Sequence, residues 1–211
     1  MDRRADVRDT YDRIATHFAA TREYPWPEVE SFVADAAGHV GLDVGCGNCR
    51  HAELLADRVD LTIGLDVSRG LLETGRDRAT DRSFDVDLVQ GDAARLPLSA
   101  DTVDLAVYVA TLHHLPTHES RRASLDELAR VLSPDGRALV SAWSTAHDRF
   151  DADEGFDTTI EWTLPGGETV DRFYHIYAPE EFTADLEASD LAVRNWEVSS
   201  GNCYAEVGGR E

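Results

Sequence analysis

The stretch Val40-Gly-Leu-Asp-Val-Gly-Cys-Gly-Asn48 constrains this chain more than any other. An apolar run that ends in Gly45-x-Gly47 predicts a buried strand turning sharply at its carboxyl end. Glycine accepts the left-handed backbone that a tight turn needs and lets other groups approach the main chain. Further apolar runs at 61–65, 86–90, 103–109 and 137–143 alternate with helical patterns at 49–57, 69–79 and 119–132. That alternation predicts a doubly wound parallel sheet. Residues 191–198 and 203–207, around Ser199-Ser-Gly-Asn202, predict a closing hairpin that adds an antiparallel strand. Upstream, Val7, Tyr11, Ile14, Ala15 and Phe18 recur at helical spacing over 4–20. Tyr24-Pro-Trp-Pro27 interrupts that helix, and a second is expected over 28–37. Ser68 is placed to cap the helix over 69–79, Ser133-Pro-Asp-Gly136 reads as a turn, and a last helix is expected over 179–189. Residues 144–170 predict an irregular insert with some extended structure.

Length and charge bound the function. The 211 residues suit one α/β domain with a full core. No apolar run approaches bilayer length and no signal-peptide pattern is visible, so a cytoplasmic protein without membrane contact is expected. Three cysteines are too few for a disulfide framework. The formal net charge is −21, and all 20 basic residues are arginine. Self-repulsion at that charge is tolerable where salt shortens the screening length, which suggests a salt-accumulating, halophilic setting. Acidity ordinarily argues against nucleic-acid binding. High salt weakens that argument, because it removes most of the counterion-release contribution for any binder.

Ligands of open α/β sheets lie outside the carboxyl ends of the strands. Three acids fall there: Asp43 in the first strand, Asp66 after the second and Asp92 after the third. Asp43 can face an ammonium group directly or through water, Asp66 two ribose hydroxyls and Asp92 an adenine amine. With Gly45, Cys46, Gly47, Val67, Ala93 and Ala110, these residues resemble the S-adenosyl-L-methionine site of class I methyltransferases, whose product is S-adenosyl-L-homocysteine. A nicotinamide cofactor would want a third glycine at position 50, which is arginine. The methyltransferase pattern often has its third glycine at position 49, here Cys49, and a side chain there is expected to take space near the ligand. Cys46-Gly-Asn-Cys49 is also a CxxC, read as small residues around a cofactor rather than a dithiol or a metal site. His113-His114 follow the fourth strand at the mouth of the site, and Arg121-Arg122 reads as a solvated helix start.

Beyond these motifs the chain resembles, nearly end to end, the tRNA wobble-uridine carboxymethyl methyltransferases. The resemblance rests on Tyr11-Asp-Arg-Ile-Ala-Thr-His-Phe18 with Thr21-Arg-Glu-Tyr-Pro-Trp-Pro27, on Ala110-Thr-Leu-His-His-Leu-Pro-Thr117, on Ala138-Leu-Val-Ser-Ala-Trp143, on Arg172-Phe-Tyr-His-Ile-Tyr177 and on Gly201-Asn202-Cys203. Departures are Cys49 for glycine, Thr111 for an aliphatic residue and Cys203 for tryptophan. The resemblance implies a seven-stranded Rossmann-like methyltransferase sheet in one domain, 1–211. Its helical segment 1–37 and insert 144–177 would line the acceptor site. It implies an enzyme that esterifies the carboxylate of 5-carboxymethyluridine in the tRNA anticodon loop. Arg22, His113, His114, Tyr174 and His175 would surround the acceptor, with Tyr174 and Trp143 stacking on the base. It also implies a small zinc-binding activator subunit, expected along the edge strand 85–90, where Phe84, Val86 and Leu88 alternate with Asp85 and Asp87. A methyltransferase for a small molecule and a non-catalytic cofactor-binding partner are the rival readings.

Overall fold

The computed structural model describes residues 3–209. Seven strands form one sheet in the order β3-β2-β1-β4-β5-β9-β8. These are β1 (Gly38–Val44), β2 (Val59–Asp66), β3 (Asp87–Gln90), β4 (Val103–Tyr108), β5 (Leu132–Trp143), β8 (Leu191–Ser199) and β9 (Asn202–Gly209). The first five run parallel, and β9 lies antiparallel between β5 and β8. Strand β1 is followed by strands on opposite sides of it, β2 then β4, so a crevice opens at its carboxyl end.

Covered on both faces, the central strands bury Leu42, Val44, Leu65, Leu105, Val107 and Val140 almost completely. Helix α5 (His118–Val131) inserts Leu125 and Leu128 on one face, starting at a Thr117–Ser120 capping box. Helix α2 (Pro27–Val33) covers the other with Val29, Phe32 and Val33, and proline at its first turn fits the missing donor there. Helix α1 (Arg3–Ala20) packs on α4 (Arg69–Arg82), and the Ser68 side chain caps α4 as expected. α6 (Pro179–Glu187) adds Phe182 and Leu186 to the larger core cluster.

The structure refines three expectations. The helix expected over 49–57 is the short α3 (Ala52–Ala56), because Cys49 sits at φ +62 and cannot continue a right-handed helix. The extended structure expected in the insert is a separate antiparallel pair, β6 (Phe156–Thr163) and β7 (Thr169–Ile176). Polar and apolar residues mix in both strands, so local pattern did not reveal them. The apolar edge residues Phe84, Val86 and Leu88 are half-buried and pack on Cys46, Cys49, Ala52 and Leu72. Edge strand β3 nonetheless has one free side, as expected. The expected turn at 133–136 survives as an excursion within β5: Leu132 pairs with Val103 and Arg137 with Leu105. Ser200 and Gly201, at φ +50 and +76, form the two-residue turn between β8 and β9, which suits the strand twist.

Candidate functional site

The glycine loop opens the crevice. Amide groups of Gly45 and Cys46 both donate to the Leu65 carbonyl, at 2.7 and 2.9 Å, which folds the loop over the end of β2. Gly45 (φ +72) and Gly47 (φ +53) are left-handed, and a Cβ on Gly45 would lie 2.2 Å from Thr111 Oγ1. Only glycine fits there. The loop lines one wall of a cavity of ≈440 Å³, a size suited to a small-molecule ligand.

Asp66 reaches this wall from the end of β2. Its two carboxylate oxygens accept from the Gly47 and Ser68 amides, at 2.9 and 2.8 Å. Burial raises its pKa to about 6 despite those amides. Each oxygen keeps a second lone pair, so the group can still accept from a diol. Val67, Asp92, Ala93 and Ala110 also line the cavity, Ala110 at φ +56 with its amide on Ser141 Oγ. One oxygen of Asp92 accepts from the Ala94 amide and the other from Arg4 at 2.9 Å, so α1 closes over this end.

Asp43 does not line the cavity. It is buried beneath the loop, and Oδ2 accepts from the Ala52 amide at 3.0 Å, at the start of α3. Of the two expected routes to an ammonium group, the direct one does not fit, because Asp43 is spent on a helix N-terminus behind the cavity wall. Burial pushes its pKa up to about 7. Cys46 lines the cavity, whereas Cys49 is fully buried and points away. A Cβ on Gly75 of α4 would meet Cys49 Sγ at 2.6 Å, so the missing side chain of Gly75 makes room for the sulfur. The side chain at 49 thus takes space from α4, not from the ligand. These features fit S-adenosylmethionine: a glycine cradle, a diol acceptor at Asp66 and an enclosed crevice at the strand ends.

Across the cavity stand α1, the segment after β4, the end of β5 and β7. Neighbouring cavity residues Arg172 and Tyr174 are two apart on β7, so they share a face. Arg172 donates to the Tyr174 hydroxyl at 2.6 Å, and its guanidinium lies over Trp162 and Tyr174 at 4.8 and 5.2 Å. Arg22 stacks on Phe18 at 4.6 Å, and burial lowers its pKa. His114 Nδ1 lies 2.9 Å from the Phe173 carbonyl, which can only accept, so Nδ1 carries the proton. Its Nε2 then accepts from the Tyr11 hydroxyl at 2.9 Å. Burial pulls the His114 pKa down to about 3. His113 Nδ1 accepts the Trp143 amide proton, and burial with His114 beside it holds His113 neutral too. That leaves Nε2–H of His113 as a neutral donor at the cavity wall.

Not every expected residue is here. His175 projects from the opposite face of β7, where its ring nitrogens meet Asp157 and Glu181, both at 2.8 Å. It does not line the cavity, because strand alternation turns it away from Tyr174. Tyr174 is buried and covered by His113, stacked at 5.1 Å, and by Arg172, whereas half-buried Trp143 meets His147, Phe150 and Tyr174 edge-on and has Arg149 over its face at 5.9 Å. Arg172, Tyr11, Arg50, His51 and Arg149 line the cavity without having been chosen from sequence. The spacing of Arg172 two before Tyr174 was the signal available for it. Arg121, read as solvated, is buried and lies 3.8 Å from Glu181. Among the described residues no cluster of three or more metal-ligating side chains occurs.

The comparisons with known proteins agree with this geometry. A family model described as a methyltransferase domain matches residues 42–140. A tRNA (carboxymethyluridine(34)-5-O)-methyltransferase of Schizosaccharomyces pombe is 30% identical over 163 residues, covering 75% of this chain and 68% of the relative. This chain belongs to the tRNA carboxymethyluridine methyltransferase family. A member from Arabidopsis thaliana is 34% identical over 143 residues, 67% of this chain but 33% of its own length. The first relatives matched are thus longer, the matched part of this chain spanning 20 to 33% of each. Among solved structures, the DhpI–S-adenosylhomocysteine complex superposes with TM-score 0.70 at 19% identity, over 98% of this chain and 97% of that one. A Haloferax volcanii putative methyltransferase, in complex with the Trm112 methyltransferase activator, gives TM-score 0.70 at 15% identity, over 97 and 98%. As in the family, the cofactor is S-adenosylmethionine. No helix among the described residues is long and apolar enough to cross a membrane.

Proposed function

We propose that this chain esterifies the carboxylate of 5-carboxymethyluridine at the tRNA wobble position. One observation carries the reading. The chain has 41 acids and 20 bases, yet five arginines line the cavity against two carboxylates. Four of them, Arg22, Arg50, Arg149 and Arg172, form no ion pair among the described residues, the buried Asp43 acting on Arg50 only at longer range. This local inversion of charge supports an anionic acceptor. S-adenosylmethionine, when bound, supplies an electrophilic methyl group. The chain's own residues need only bind, orient and dry the acceptor. His113 and His114 are both neutral and committed as hydrogen-bonding groups, and Tyr11 and Tyr174 have pKa values raised by burial. None of these is poised as a general base. A carboxylate needs none, because it is already a nucleophile at neutral pH. Arg22 and Arg172 are the residues proposed to hold it, His113 Nε2–H a neutral donor to it, and Trp143 a ring for the base to stack on.

We also propose the small zinc-binding activator as a partner along β3, whose free edge can accept an added strand. The activator complex of the Haloferax volcanii relative supports that choice. Nucleoside mass spectrometry of tRNA from a strain lacking this protein tests the function. The methyl ester of 5-carboxymethyluridine should vanish and the free acid should accumulate. An unchanged ester level would overturn the reading.

A further inference from the structure

Among the described residues, Tyr24 at 78% is the most open of the exposed large hydrophobic side chains, the others being Leu61, Trp196 and Val198 at 41 to 46%. A single exposed aromatic is ordinary by itself. Its backbone is not. Three consecutive carbonyls leading to the ring each accept from a side chain around the glycine loop. Arg22 O accepts from Asn48 Nδ2 at 2.9 Å, Glu23 O from Arg78 at 2.8 Å and Tyr24 O from Arg50 at 3.2 Å. Pro25 and Pro27 stiffen the backbone on either side of Trp26. The residues two before and two after Tyr24, Arg22 and Trp26, both line the cavity, and Arg50 stacks on Trp26 at 5.2 Å. The segment is thus held on both sides at the cavity rim, while the ring itself has no aromatic, cation–π or hydrogen-bond partner among the described residues.

Resting on the proposed function, we infer that Tyr24 is a stacking platform for the nucleotide adjoining the one inserted in the cavity. A base drawn out of a single-stranded loop leaves its neighbour unstacked, and an aromatic ring replaces the lost stacking without reading sequence. Arg22 and Arg50, neither in an ion pair among the described residues, sit at the same rim, Arg22 two residues before Tyr24 and Arg50 on the Tyr24 carbonyl, where the polyanionic backbone must pass. In a chain of net charge −21, that pairing of a bare ring with guanidiniums outside any ion pair favours RNA over another acidic protein. A preorganised platform also saves the ordering cost that a mobile loop would add on binding.

The test uses the full chain with its activator and two substrates: an anticodon stem-loop carrying 5-carboxymethyluridine, and the 5-carboxymethyluridine mononucleotide. Tyr24→Ala should raise KM for the stem-loop by about 5- to 150-fold, the range for one stacked base. It should leave the mononucleotide KM and the S-adenosylmethionine affinity as they were. Tyr24→Trp should restore the stem-loop KM. With 2-aminopurine beside the wobble position, stem-loop binding should quench fluorescence in the unsubstituted protein and not in Tyr24→Ala. Equal effects on both substrates, or quenching that survives the substitution, would overturn the platform. So would weaker activator binding by Tyr24→Ala with an unchanged stem-loop KM, which would make the ring a protein contact. Failure of the unsubstituted protein to methylate either substrate would count against the proposed function instead, and the quenching measurement would still decide the platform.

Discussion

The pair Cys49 and Gly75 makes a sharp prediction about how the glycine loop is built. Cys49 holds a left-handed backbone at φ +62, and its sulfur fills the space left by Gly75 in α4. A non-glycine residue in that conformation costs about 1–2 kcal/mol. Gly75→Ala alone should gain about 1 kcal/mol of helix propensity. It should lose about 1–3 kcal/mol to overpacking, because its Cβ meets a fully buried sulfur at 2.6 Å. Cys49→Gly alone relieves the backbone but leaves a void, so its net effect should be small. With the sulfur gone, the next neighbour of the new Cβ is Gly47 O at 3.3 Å, tight but tolerable. The double variant should therefore be more stable than the sum of the single changes by about 1–3 kcal/mol. For a domain of this size that is on the order of 2–12 °C in Tm. Urea or thermal unfolding of the four proteins in one buffer closes the cycle. Additivity within about 0.5 kcal/mol would refute the packing argument. Cofactor affinity should be unchanged in Cys49→Gly, since that side chain does not line the cavity.

Asp66→Ala should weaken S-adenosylmethionine binding by about 5- to 150-fold, the loss expected when a buried polar partner is removed, as calorimetry would read. His175→Ala should keep cofactor binding but lose transfer to the tRNA acceptor, because the imidazole bridging Asp157 and Glu181 pins the strand that presents Arg172 and Tyr174; His175→Arg should recover much of the rate, and full transfer by His175→Ala itself would refute the pinning. Asp43 has a folded pKa of about 7, above its unfolded value, so the folded state holds the extra proton and this residue's contribution falls as pH rises from about 4 to 7. Buried neutral His51, His113 and His114 act in the opposite direction as pH falls below their unfolded pKa, so the comparison must be with a variant: Asp43→Asn should gain Tm on the unsubstituted protein between pH 5 and 7.5, and parallel curves would contradict the shift. Leu88→Pro should abolish the activator complex in a pull-down, since proline removes a donor from β3, and a complex that survives would place the partner elsewhere.

Local sequence was enough for the frame of this protein. Apolar runs, helical spacing and the glycines at 45 and 47 act within a few residues of one another, so the order of strands and helices, the position of the loop and the placement of Asp66 and Asp92 at strand ends could be read directly. Arg22, His113, His114 and Tyr174 were also legible and do meet at one cavity. What could not be read were facts set by contacts between distant segments. The β6–β7 pair exists because two mixed-polarity strands satisfy each other, and its orientation gives Arg172 to the cavity and His175 to two carboxylates on the far side. Asp43 turned to a helix amide nine residues away, and Cys49 found room only because α4 carries glycine opposite it. Sequence pattern sets which face a residue shares with its neighbours, but only packing decides what that face meets.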